Sequence, residues 1–585
     1  MEQQRNIIIA IALSIAIMVG FQYFFPPAPP KPPAPAETAQ PVPGQAPAPG
    51  QAPSPTQPNA SAVPTSKPRE EVIAASKSER VEIKTPTLSG TINLVGARLD
   101  DLTLSEYKET TDPKSPHIEL LSPDGSEHAY FTEFGWVGAP GATLKLPDKN
   151  TRWTASAGVL TPHQPVDLTW DNGQGLRFIR HYAIDDNYLF TITQTVENTG
   201  DQPVTLFPYG LVSRTGNPVT SSTYILHEGP IAVFNGRLDD GVKYSDLKPD
   251  QPHNFTTHGG WLGFTDKYWL VSLIPDQTEM LKARFIRFDR DKAEIFQADY
   301  TGAEHVVPPH ERITTTDRLF AGAKEVHLLD AYDAELGDVK FDRAIDFGWF
   351  YWITKPIFLA LDFFSKHLFA GQHGSFGLSI LLLTLIIKLI FFPLANKSYR
   401  AMSKMKLLQP EMQKLRERFG DDKARLNQEM MALYKRVGAN PAAGCLPIVI
   451  QIPVFFSLYK VLYVTIEMRQ APFYGWIHDL SAPDPTSFIN LFGLLPFTLP
   501  PELAFLHIGL WPIIMGITMY LTQKLNPTPP DPVQAKMFMI LPFVFTYMLA
   551  QFPAGLVIYW AWNNLLSFAQ QWFIMRRAAA APAHV

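Results

Sequence analysis

Residues 376–395 read FGLSILLLTLIIKLIFFPLA, and this run decides the fold class. It matches the roughly 20 apolar residues that a helix needs to cross about 30 Å of hydrocarbon, yet it carries a cation, Lys388, with apolar residues on both sides. Further apolar runs follow at about 445–466, 509–524, 537–553 and 555–574. The C-terminal part is therefore expected to be an all-α polytopic bundle with five transmembrane helices. Pro447, Pro453, Pro512 and Pro542 interrupt some runs, which is tolerable where neighbouring helices or water satisfy the freed backbone groups.

An ionisable residue inside a span costs about 2.5–3.5 kcal/mol on insertion scales, which makes Lys388 a candidate functional residue. Thr384 lies one turn earlier on the same helical face. No Asp or Glu falls within the apolar cores of the five runs, so a structural ion pair or a proton relay is the poorer account of this lysine. A water-filled, positively charged cavity is the better one. Polar residues recur in the other runs at Gln451, Ser457, Thr518, Thr522, Thr546, Gln551, Tyr559, Asn563 and Asn564. Taken singly, each is as readily an ordinary hydrogen bond between helices.

Between the first and second of these runs, residues 397–440 form a basic helical hairpin. Met402, Met405, Leu408, Met412, Leu415 and Phe419 recur at three- and four-residue steps, Gly420 and Asp421 supply a stop and an N-cap, and Leu426, Met430, Leu433 and Val437 continue the pattern. The methionines either form an adaptable surface for unlike apolar clients or pack the two arms together. Eleven Lys and Arg side chains, Arg416 and Arg418 among them, stand against five acidic ones, which predicts a cytoplasmic location. These cations suit ribosomal RNA or lipid headgroups.

Toward the N-terminus, Ile7 to Phe25 is a single apolar run without an obvious cleavage site, so residues 1–25 are expected to be an uncleaved transmembrane anchor. Residues 26–69, rich in Pro, Ala, Gln and Gly, read as a flexible tether. Residues 70–340 alternate apolar and polar positions between turn residues, as in GLRFIRHYAI and YLFTITQTVENTG. That pattern predicts a large antiparallel β-sandwich, its tryptophans (Trp136, Trp153, Trp170, Trp261, Trp269) belonging to the core more readily than to a sugar-binding face. Residues 341–371 are aromatic but broken by Asp346, Lys355, Pro356, Asp362 and Lys366, as in amphipathic helices on a membrane surface. The bundle then occupies 372–576, with a short tail at 577–585. Six crossings put both termini in the cytoplasm and the sheet domain outside, in agreement with the charge of the hairpin.

The composition excludes several functions. With Cys445 as the single cysteine, neither an intrachain disulfide nor a multi-cysteine metal site is possible. GxxxxGK[ST], HExxH and GxSxG are absent, so an enzyme is not expected, nor is a cofactor, a metal or a DNA partner. Two rivals remain on the residues alone: a channel or secondary transporter binding an anion at Lys388, although the spans show no internal repeat, and a membrane-anchored carbohydrate enzyme built on the sheet domain.

The stretches RAIDFGWFYWITKP (343–356), QEMMALYK (428–435), NPAAGCLPIVIQIPVFFSLYKVL (440–462), RQAPFYGWIHDLSAPDP (469–485) and QFPAGLVIYW (551–560) resemble the YidC and Oxa family of membrane protein insertases. The layout from anchor to sheet domain is similar to that of Gram-negative members. The resemblance implies a bundle of five spans around a hydrophilic groove, open to cytoplasm and lipid and closed toward the periplasm, in the bacterial inner membrane. The family's groove arginine falls on Lys388, which keeps the positive sign without the planar guanidinium fork. Its groove threonine falls on Thr384, its tyrosine pair on Tyr559 and Trp560, and its glutamine and prolines on Gln451, Pro447 and Pro453. The outer domain would be a supersandwich similar to sugar mutarotases. Nascent membrane proteins, the Sec translocon, the ribosome and membrane lipids are the partners implied.

Overall fold

The computed structural model describes residues 67–580 apart from 217, 219–225, 291–292, 421, 438–445, 496–506 and 527–531. The expected anchor, nearly all of the tether and the last five residues of the tail lie outside the described residues.

The predicted β region is built from two sheets, of eleven and nine strands. In the first, the long strands Arg98–Lys108, Tyr130–Gly138, Val204–Thr215, Ala293–Thr301 and Met280–Arg290 form its centre. In the second, Leu189–Asn198 pairs antiparallel with Leu176–Ile184 on one side and Arg312–Ala323 on the other. Period-two patterning explains the core. Leu176, Phe178, Arg180, Tyr182 and Ile184 are buried while residues between them face outward. The one cation in that row, Arg180, donates to the carbonyls of Ala97 and Phe134 and lies 4.9 Å over the ring of Trp153. Trp136, Trp153 and Trp261 are buried in the same core, and Trp170 and Trp269 pack against it. Two helices bracket the strands, α1 (Arg69–Ala75) and α2 (Val326–Glu335), which alternation alone does not reveal.

The segment after the sheets folds as α3 (Tyr351–Phe363), continued by a wider turn over Phe364–Leu368. Its outer surface bears Trp352, 72% exposed, next to Trp349, 85% exposed. The charges that argue against a span are paired: Lys355 Nζ with Asp330 of α2 at 2.7 Å, and Asp362 with His327 at 2.8 Å and Lys366 at 3.0 Å. The helix thus binds α2 with its charged side chains while Ile357, Phe358 and Leu361 enter the shared core.

The C-terminal helices are α4 (Ser375–Ile390), α5 (Phe392–Leu407), α6 (Gln409–Phe419), α7 (Lys423–Val437), α8 (Leu446–Val464), α9 (Leu510–Leu525), α10 (Pro532–Leu549) and α11 (Ala554–Ala580). Among the described residues no single helix is long and apolar enough to cross a membrane; α4 and α5 pass together but meet at a bend of 68°. This corrects the reading of 376–395 as one straight span. The helix stops at Phe391, and Pro393 opens the next one, because proline has no N–H to continue the ladder and restricts the residue before it.

The first hairpin arm is likewise not continuous. It breaks at Leu408, where Pro410 starts α6. Met412 and Leu415 of α6 pack with Met430, Leu433 and Tyr434 of α7, joined by Met405 from the end of α5 and by Leu408 at the break. Met412 is buried in this group, and Met405 and Met430 are partly buried against it. Met402 leaves that group altogether and packs with Tyr399 and Ile574. Arg416 is half-buried and Arg418 exposed.

Candidate functional site

Facing sides of α4, α5, α8, α9, α10 and α11 enclose a cavity of about 490 Å³. Helical spacing explains who reaches it. On α4, Thr384 and Lys388 stand one turn apart, and on α11 the steps from Asn563 and Asn564 to Ser567 and then Gln570 and Gln571 repeat that interval. Of the expected residues, Thr384, Lys388, Gln451, Tyr559 and Trp560 all line the cavity. Pro453 sits within α8 but not on the wall. Pro447 also lies in α8, its side chain outside what is described.

Lys388 Nζ donates to Ser567 Oγ at 2.7 Å, and Ser567 in turn donates to the carbonyl of Asn563 at 2.8 Å. Among the described residues lining the cavity there is no carboxylate and no second Lys or Arg. The contrast with Lys460 is informative. That lysine also falls in an apolar run, and the sequence reading passed over it; here its Nζ lies 2.8 Å from Asp346, which reaches it from the stretch before α3. One part-buried cation is thus neutralised by a carboxylate from another segment, whereas among the described residues Lys388 meets only neutral hydrogen-bonding groups. A cation so placed needs water or an anionic visitor to offset its desolvation.

The other lining groups divide by chemistry. Thr384 is buried and its hydroxyl donates back to the Ile380 carbonyl at 2.6 Å, so it offers the cavity an acceptor and not a donor. Gln451 donates to the phenol of Tyr559 at 3.4 Å. Trp560, in the second position of the expected aromatic pair, is held edge-on by Phe455 at 4.7 Å and tilted against Phe545 at 5.9 Å. Toward the other end, Thr522, Asn526, Asn563, Asn564, Ser567, Gln570 and Gln571 supply hydroxyls and amides. Ser457, Thr518, Thr546 and Gln551, polar residues of the same runs, do not line the cavity. Sequence reading missed Tyr399, Asn526, Ser567, Gln570 and Gln571; for the last three the helical interval from Asn563 was the available signal.

The loop after α8 organises one end of the bundle. Asp484, 1% exposed, accepts from Trp476 Nε1 at 3.0 Å, Thr486 N at 2.9 Å and Trp511 N at 2.9 Å. The last is an orphan N–H of the first turn of α9, so Asp484 caps that helix from a distant loop. Ala482 and Leu480 carbonyls accept from Ala554 and Gly555 at the start of α11. Phe473 packs on Gly377 of α4, where a methyl group would overlap its ring at 2.0 Å.

Residues 80–360 match the family described as the YidC periplasmic domain, and residues 368–581 the family described as 60Kd inner membrane protein. The membrane protein insertase YidC of Methylobacterium nodulans is 51% identical over 589 residues, covering 98% of this chain and 95% of the relative. That of Nitrobacter hamburgensis is 52% identical over 592 residues, covering 99% and 96%. Among solved structures, an active YidC insertase with its first transmembrane domain resolved aligns over 84% of this chain and 92% of that one, at 18% identity and a TM-score of 0.36; that likeness carries none of the argument. The near-complete coverage at about half identity makes the chain a member of the YidC family of membrane protein insertases.

Proposed function

We propose that this protein inserts newly made inner-membrane proteins, and helps them fold, by sheltering a client's polar outer segment in the cavity beside Lys388. The observation that carries this reading is a single cation beside hydroxyls and amides in a cavity whose remaining lining is apolar and whose described lining has no carboxylate. A client's short polar or acidic segment enters from the cytoplasmic side, drawn by the positive charge. Hydroxyl and amide groups replace part of its hydration and lower the cost of carrying polar groups past hydrocarbon. The client's apolar span then moves into lipid, and its burial drives the step. No nucleotide, metal or cofactor enters the scheme.

In this reading the helices from α4 to α11 supply five crossings and residues 1–25 a sixth, with both termini cytoplasmic and the sheet domain periplasmic. The shortness of the helices is compatible with that role. Sixteen residues in α4 extend about 24 Å at 1.5 Å per residue, so the bilayer beside the cavity thins and the path shortens. The exposed Phe538, Ile540, Phe543, Val544 and Tyr547 of α10 suit contact with acyl chains, and Trp349 and Trp352 suit the headgroup level. The supersandwich form of the outer domain, cooperation with the Sec translocon, and ribosome contact through the α6–α7 hairpin belong to the same proposal.

The test is reconstitution of the purified full-length protein in liposomes with one newly made single-span client whose outer segment is acidic. Lys388→Ala and Lys388→Glu should lower its insertion by roughly tenfold or more, the scale of one lost charge-assisted contact. Photocrosslinkers at Thr384, Gln451 and Tyr559 should capture the client in transit. Crosslinks confined to the sheet domain, with insertion unchanged in both variants, would refute the groove.

A further inference from the structure

The cavity is built unevenly. Its cation stands on α4, whereas α11 presents a row of neutral carboxamides at Asn563, Asn564, Gln570 and Gln571. Asn564 is 9% exposed and Gln571 1% exposed. Among the described residues Asn564 Nδ2, Gln570 Nε2 and Gln571 Oε1 have no hydrogen-bond partner, while the other end of the Gln571 amide is held, Nε2 donating to Asn526 Oδ1 at 3.0 Å. Among the described residues, two donors and one acceptor of these cavity-lining side chains are therefore buried without a partner. Buried polar groups left unpaired are costly, and a wall that keeps several suits an occupant able to pair with both kinds.

A carboxamide has the donor and acceptor geometry of a peptide group. Asn564 and Gln571 stand seven residues apart, two turns up the same helical face and about 10 Å along the axis, close to the roughly 10 Å spanned by three residues of extended chain. The row carries no charge, so it cannot distinguish acidic from neutral segments, and side chains differ too much among clients to be read by fixed amides. The atoms every client shares are those of its main chain.

Resting on the groove reading above, we infer that the amides of Asn564, Gln570 and Gln571 bind the extended polypeptide backbone of the client's polar segment, irrespective of its sequence, and that Lys388 adds preference for acidic segments. Recognition is thereby divided between two walls: α11 holds any hydrophilic segment as main chain, and α4 ranks segments by charge.

The experiment uses the full chain in liposomes and three versions of one single-span client: an acidic outer segment, a neutral Ser/Gly segment, and the neutral segment with alternate residues changed to proline, which removes their N–H groups. Gln570→Leu and Asn564→Leu are the variants; among the described residues Gln570 Nε2 has no partner to lose, and thermal unfolding of each variant verifies folding. Each is expected to reduce insertion of the acidic and neutral clients by the same several-fold factor, whereas the proline client, already low with the unaltered protein, falls little further. Lys388→Ala reduces only the acidic client. The backbone proposal is overturned, with the groove reading intact, if the amide variants insert the neutral client at the normal rate, or depress the proline client as much as the neutral one, while Lys388→Ala still impairs the acidic client. Should Lys388→Ala and the amide variants all leave every client untouched, both readings fall together.

Discussion

Lys388 and Glu467 are two charged side chains displaced from water, and they serve opposite ends. Lys388 Nζ has Ser567 for a partner and no carboxylate on the described cavity wall, so its charge remains available to a visitor. Arginine would offer the same sign with a planar fork able to grip a carboxylate bidentately. Lys388→Arg is therefore expected to insert acidic clients as well as the unaltered protein, or a few-fold better, with neutral clients unchanged; comparing initial rates for the two client types checks it. Glu467, in the loop after α8, accepts from Val326 N at 2.9 Å and so caps α2 of the sheet domain. Burial pushes its carboxyl from 4.5 up to about 7. A carboxyl whose pKa is raised on folding holds more protons in the folded state, so its contribution to stability falls as pH rises from about 4.5 to about 7 and is level above that. Glu467→Gln keeps an acceptor for Val326 N and removes the titration. The variant should lose this part of the slope and gain up to about 3 kcal/mol at pH 8, by the linkage of a shift of this size. Melting curves of both proteins at pH 5, 6, 7 and 8 would reveal it, and parallel pH profiles would discount it.

At the level of elements, loops and prolines shape the helices as much as their own periodicity does. Pro393 and Pro410 divide what reads as an uninterrupted helical pattern from α4 to α6, and the first break turns α5 away from α4 by 68°. That turn carries Tyr399 and Met402 to the cavity wall. Asp484 acts on α9 in a similar way, closing the helix start and the tryptophan-bearing loop with one carboxylate. Replacing it with alanine strands Trp476 Nε1, Thr486 N and Trp511 N. Asp484→Ala is expected to destabilise the protein by roughly 2–4 kcal/mol, the sum of a lost cap and unpaired buried donors, and Asp484→Asn by less, since one amide oxygen still accepts. Thermal unfolding in detergent or nanodiscs measures both; equal losses would mean that the single remaining amide oxygen does not sustain the cap and that the whole effect needs the carboxylate. The hairpin teaches the converse lesson. Its three- and four-residue apolar rhythm was readable, but that Met412 is buried while Met405 and Met430 stay partly exposed follows only from how α5, α6 and α7 close on one another.

Across the whole molecule, the sheet domain and the helices share one continuous apolar core running from Val81 to Tyr559, reinforced by polar ties. Glu467 caps α2, Lys460 pairs with Asp346, and the Gln470 side chain donates to the Lys108 carbonyl at 3.2 Å. The sheet domain is thus docked through the loop after α8 rather than hung on a linker. Removing residues 70–335 should leave insertion of a small client largely intact in reconstituted liposomes, because none of the cavity-lining residues lies there. It should also lower the melting temperature of the helices, since Glu467 and Asp362 would lose Val326 and His327. Complete loss of insertion in a well-folded truncation would assign the activity to the sheet domain instead. What the chain's order of residues determined by itself is what repeats locally: apolar runs, period-two strands, a basic hairpin, lysines out of keeping with their runs, and motifs long enough to identify a family. Two lysines within apolar runs look alike on paper. Only the tertiary structure gave Lys460 a carboxylate from more than a hundred residues away and left Lys388 among amides, because hydration and charge pairing depend on which segments meet in space, and no local pattern encodes that meeting.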